Sequence, residues 1–122
     1  MTIAIWCVLV AAILPYVPFV FVRGIDRDEP RASVPALDPR SVRAYGAQLN
    51  GFETFPFFAA AVIVAHMIGG PSRAADILAV IYVLFRVGHM TAYVARKQPL
   101  RSLAFSLGQI TALAIFLSPL WR

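Results

Sequence analysis

Four apolar runs, each closed by polar or turn-forming residues, organise this chain. Residues 2–22 carry no charge and contain Trp6, Pro15 and Pro18, a pattern that predicts a first membrane-crossing helix bent toward its end. A cleaved signal segment would want a basic start and small residues at its end, whereas this run closes on Pro, Phe and Arg, so a span is expected. Residues 23–40 turn abruptly polar, and Pro30, Pro35 and Pro39 predict an exposed loop. Residues 41–68 predict a second span, capped near Asp38 or Ser41, with Pro56 disturbing it just past Glu53. Gly69, Gly70 and Pro71 form a turn, and a third span is expected over residues 73–95. A short loop over residues 96–101 then leads to a fourth span over residues 102–121, where Trp121 is an interfacial anchor.

The second run breaks its own pattern. Only residues 54–68 are strongly apolar, and a stretch of about 15 residues at 1.5 Å each falls short of a hydrocarbon core of about 30 Å. The crossing must therefore include a polar half that carries Arg43, Gln48, Asn50 and Glu53. Arg43, Asn50, Glu53 and Phe57 follow an i, i+7, i+10, i+14 spacing, which is one helical face. Arg86, His89 and Tyr93, at i, i+3, i+7, share a face of the third helix. Counted along the helices, Glu53 and Arg86 lie at a similar depth of roughly 15 to 18 Å, so the two groups can meet. Ionisable residues within spans cost at least a few kcal/mol on insertion scales, face the bundle interior and mark functional sites.

Composition agrees with the pattern. Hydrophobic residues make up 60% of the 122 residues, and the mean hydropathy of +0.74 is far above that of a soluble domain. The expected fold class is an all-α integral membrane protein, a single domain forming a four-transmembrane-helix bundle. A net charge of +5 does not point to nucleic acid, because the cations sit in short loops rather than in a patch. Arg23, Arg27, Arg31, Arg40, Arg96, Lys97 and Arg101 fall on one side, against Arg73 and Arg122 on the other. The termini are therefore expected outside and the polar cluster open to the cytoplasm. Cys7 is the only cysteine, which excludes an internal disulfide, and two lone histidines in different spans give no metal-ligand spacing.

Two readings of the cluster are open. Glu53 and Arg86 form a buried ion pair that fixes helix register, with Asn50 and His89 satisfying the remaining hydrogen bonds. Alternatively, Arg43, Arg86 and Arg101 face only Glu53 as an internal acid, an excess of guanidinium suited to a small polyanion that also carries an amine. His66, alone near the far end of the second span, is expected to be satisfied within the bundle. A small multidrug transporter would want an acidic residue in the first span, and none is there.

The segment from Arg43 through Asn50 and Glu53 to Pro56, together with Arg86-Val-Gly-His89-Met-Thr-Ala-Tyr93, Pro99-Leu-Arg101-Ser102 and Gln109, resembles the MAPEG family, the membrane-associated proteins in eicosanoid and glutathione metabolism. The resemblance covers essentially the whole chain. It implies a homotrimer in the lipid bilayer, with glutathione as co-substrate bound between subunits and a hydrophobic or lipid substrate entering from the membrane. It further implies that Arg43, Gln48, Asn50, Glu53, Arg86, His89 and Tyr93 hold glutathione, while Arg101 and Ser102 stabilise its thiolate. No metal is expected. The activity implied is that of a prokaryotic-type glutathione transferase or peroxidase in a bacterial inner membrane; the alternative is a non-catalytic lipid- or thiol-binding scaffold of the same fold. Two positions depart from the family pattern: an Arg four residues before the Asn is here Gly46, and a His two before it is Gln48. Arg23, Arg27 or Arg40 would have to supply the missing cation.

Overall fold

The computed structural model describes residues 1–121, and among them every regular element is helical. Helix α1 spans Ile3–Ile13 and is capped by Thr2, whose hydroxyl accepts from the Ile5 N–H. The chain breaks near Pro15 into a short α2, Tyr16–Phe19. After a polar segment come a single turn α3, Pro30–Ser33, and a 3₁₀ turn, Val34–Ala36. Long helices α4, Pro39–Gly69, α5, Arg73–Val94, and α6, Gln98–Leu117, follow, with a final 3₁₀ turn, Ser118–Trp121. Three of these helical segments are long and apolar enough to cross a membrane, and Ile3–Phe19 is a shorter apolar one.

Helix bounds differ from the apolar runs in three places. The uncharged run over residues 2–22 divides into α1 and α2 near Pro15, where a bend toward its end was expected. Residues 23–40 are not all irregular: Pro30 starts a helical turn, and Pro39 starts α4. Helix α6 begins at Gln98, so Arg101 lies on its first turn rather than in a loop, and Ser102 follows it in the helix instead of starting it. The last two share a cause: proline lacks only a donor that the first helical turn leaves unused. Pro56 lies inside α4, which continues through it.

Caps fix the ends of the long helices. Asp38 accepts from the Ser41 N–H and hydroxyl, and Ser41 Oγ in turn accepts from the Arg23 N–H, drawing the segment after α2 back onto α4. The Ser41 hydroxyl, then its N–H, hold the Asp38 carboxyl below its ordinary 3.8. That cap therefore supports α4 above the unfolded carboxyl's pKa and is lost as pH falls through the folded value. Ser72 caps α5 through the Ala75 N–H.

Lipid is as apolar as leucine, so helices in it associate by close approach rather than by expelling water. The buried faces are accordingly small: Ala4, Cys7 and Ala11 on α1, Ala44, Ala47, Ala61 and Ala65 on α4, Ala75, Ala79 and Ala92 on α5, Gly108 and Ala112 on α6. At Gly51 the approach is tight, since a Cβ there would stand 2.7 Å from Pro15 Cγ. One large contact sits at the centre. Phe58 of α4 and Tyr82 of α5 stack with centroids 3.8 Å apart and planes 7° from parallel, and the Tyr82 hydroxyl reaches the Thr54 carbonyl at 3.4 Å.

The end opposite the 96–101 segment is tied by polar bonds. His66 Nδ1 lies 2.9 Å from the Val62 carbonyl, which requires the proton on that nitrogen, so Nε2 accepts the Thr2 hydroxyl at 2.8 Å. Asp76 accepts from the Ala4 N–H at 2.7 Å. His66 is thus satisfied within the bundle, and α1 is fastened to α4 and α5 at its first residues. Because Phe58 is fully buried in the stack while Leu84 is 64% exposed, Phe58→Ala should cost about 3 to 4 kcal/mol and Leu84→Ala under about 0.5. Thermal and denaturant unfolding of the purified protein in detergent checks the difference.

Candidate functional site

Arg86 is the deepest charge in the bundle, 6% exposed. Its Nη2 donates to Asn50 Oδ1 at 2.7 Å, joining the middle of α5 to the middle of α4. The Glu53 to Arg86 pair does not form within the chain. Glu53 lies three residues past Asn50, which turns it away by about 60° of helix, and its side chain is exposed with no ion-pair partner among the described residues. The acceptor that meets Arg86 is Asn50, one helical turn before Glu53.

From this bond a cleft of about 490 Å³ opens toward the 96–101 segment. Asn50, His89, Tyr93, Arg101 and Ser102 line it, joined by Phe105 and Ser106. His89 is only 3% exposed, and its Nδ1 is buried with no hydrogen-bond partner among the described residues. Its ring packs edgewise on Tyr93, centroids 5.8 Å apart, and against Phe105 at 6.1 Å. The Arg101 guanidinium carbon stands 4.8 Å from the Tyr93 ring centroid, a cation–π contact that holds the charge at the cleft wall. Ser102 Oγ accepts from Gln98 Nε2 at 3.0 Å, which leaves its own proton available to donate.

Beyond Tyr93 the mouth of the cleft is basic. Arg43, Arg96, Lys97, Gln98 and Arg101 line a second space of about 370 Å³, and no carboxylate is among its lining residues. Arg43 is held there by donating from Nε to the Val94 carbonyl at 3.2 Å, one of the acceptors that the end of α5 leaves free.

Gly46 has a steric cause. A Cβ at this position would stand 2.5 Å from the Tyr93 hydroxyl oxygen and 2.9 Å from Cζ, so only glycine lets Tyr93 lie against α4. Gln48 is buried on the inner face of α4. Arg40 does not supply the missing cation: it lines a different groove, with Val17, Pro18, Phe21 and Met90. Arg23 and Arg27 are also absent from both lining sets. Of the residues that the sequence singles out, Asn50, Arg86, His89, Tyr93, Arg101 and Ser102 come together, Arg43 stands at the mouth, and Glu53 stands apart. Phe105 and Ser106 escaped notice, as did Arg96 and Lys97. The first two lie four residues past Arg101 and Ser102, a relation that is visible only once α6 is known to start at Gln98.

Among the described residues no group of three His, Cys, Asp or Glu side chains could hold a metal ion. The arrangement of cations without an opposing carboxylate suits an anionic molecule.

No curated protein matches the chain at a meaningful level. Compared with protein families, residues 3–121 match the MAPEG family, nearly the whole length. The apolar helices and this match make the chain an integral membrane protein of glutathione-related or eicosanoid metabolism in the general sense, and it belongs to the MAPEG family.

Proposed function

We propose that this protein is a membrane-embedded glutathione transferase or peroxidase-like enzyme that activates the glutathione thiolate for attack on lipophilic electrophiles. The observation that carries the reading is the cleft of Asn50, His89, Tyr93, Arg101 and Ser102, with its cationic mouth and no lining carboxylate. Glutathione brings two carboxylates, one ammonium and a thiol. Arg43 and the mouth cations complement the carboxylates, the orphan His89 Nδ1 and Asn50 offer hydrogen bonds to the peptide, and Arg101 with Ser102 faces the sulfur.

The chemistry follows from charge. A thiol near neutral pH is mostly protonated; a guanidinium beside the sulfur favours the anion and lowers its pKa. The Ser102 hydroxyl, bound by Gln98, adds a donor to the same charge. The thiolate then attacks an electrophile dissolved in the bilayer, which accounts for the enzyme being embedded in membrane.

A trimer of four-span subunits completes the site. Glu53, exposed midway along an apolar helix, needs a cationic partner in lipid, and a neighbouring subunit bearing glutathione's ammonium provides one. The cation count over the loops supports termini outside and a cleft open to the cytoplasm, and a bacterial inner membrane is part of the same proposal.

Calorimetry on detergent-purified protein should give micromolar to low-millimolar glutathione binding that Arg86→Ala abolishes; no binding by the wild type would sink the proposal. Arg101→Ala should lower kcat by about 100-fold with affinity kept within a few-fold, and shift the rise of rate with pH to higher pH, as measured with a chromogenic electrophile. Glutathione binding without turnover in the wild type would instead mark the chain as a thiol-binding scaffold. Gly46→Ala should displace Tyr93 and weaken glutathione roughly tenfold, about 1.4 kcal/mol, while leaving the unfolding temperature almost unchanged. Unaltered affinity would remove Tyr93 from the site.

A further inference from the structure

Helix α6 has a second lined face. By 100° per residue, Leu100, Leu103, Ala104 and Leu107 fall opposite Arg101, Ser102, Phe105 and Ser106. On that opposite side, α5 and α6 enclose an open apolar groove of about 570 Å³. Leu100, Leu103 and Leu107 line one side, and small residues, Gly88, Ala92 and Ala104, leave its floor low. A Cβ on Gly88 would meet nothing outside its own helix within 4 Å.

The groove has a charged end. Lys97 lines it and also lines the basic space that holds Arg43, Arg96 and Arg101, and Ala92 is likewise shared by the two. The left-handed backbone of Arg96, φ 60°, turns the chain there, with Lys97 at the groove mouth and Arg96 beside it in the adjoining basic space. From Lys97 to Leu107 is ten helical residues, about 15 Å, which is half the hydrocarbon core and the depth of one leaflet.

We propose that this groove binds an anionic phospholipid from the leaflet on the basic side, one acyl chain lying along α5 and α6 and the phosphate held by Lys97 and Arg96. An apolar slot one leaflet deep with cations at its interfacial end complements an amphiphile with a negative head. No lining carboxylate opposes that head, and interfacial Lys and Arg attract anionic lipid. The apolar slot shares no residue with the cleft of Asn50, His89 and Arg101, and only Ala92 and Lys97 are common to it and the basic mouth, so it stands whether or not the thiol proposal holds.

Thermal unfolding of the detergent-purified protein tests it with three additions: dioleoylphosphatidylglycerol, dioleoylphosphatidylcholine and inorganic phosphate. Phosphatidylglycerol should raise the midpoint by roughly 5 °C, phosphatidylcholine by less than half as much, and phosphate not at all. Arg96→Gln with Lys97→Gln should erase the difference between the two lipids. Gly88→Leu, which fills open space, should erase the response to both lipids while glutathione affinity stays at the wild-type value. Equal effects of the two lipids in the wild type, or a full rise with phosphate alone, would overturn the proposal. So would an undiminished lipid response in Gly88→Leu, or loss of oligomeric mass in that variant without any lipid dependence, which would make the groove a contact between copies.

Discussion

A guanidinium halfway along a membrane helix leaves the bundle little choice of arrangement. Facing lipid, Arg86 would cost several kcal/mol; turned inward, it needs an acceptor at its own depth, and Asn50 provides one at 2.7 Å. That bond sets the rotation of α5 against α4. Once it is set, Tyr82 one turn away falls on Phe58, and His89 three residues on turns into the cleft. Alanine and glycine at the crossings are the condition that makes it possible, since bulkier faces would hold α4 and α5 too far apart for a direct contact.

Periodicity revealed much of this because it reports which residues share a face. Arg86, His89 and Tyr93 were legible as a unit, and so was the need for a polar half in the second span. Azimuth between helices was not legible, which is why Glu53 and Asn50 exchanged places as the partner of Arg86. Proline caused the remaining errors in one direction. Pro30, Pro39 and Pro99 were placed in loops, whereas each sits in the first turn of a helix. Moving the start of α6 to Gln98 changes which residues line the cleft.

Gly46 illustrates how a departure from a family pattern can be a repacking rather than a loss. Removal of a side chain from α4 admits the Tyr93 hydroxyl to the same space. Tyr93 then supports Arg101 across its ring, and the cations near the mouth come from Arg43 and from the turn between α5 and α6. A reading limited to position 46 sees only a missing charge.

The fastening of α1 at its first residues has a mechanical consequence. Thr2 on His66 and the Ala4 N–H on Asp76 lock one end of the bundle, while the break near Pro15 interrupts α1 before it reaches the other. The first apolar run is therefore held as two pieces, α1 rooted in α4 and α5 through side chains at its Thr2 end and the piece after the break drawn to α4 through Ser41 and Gly51.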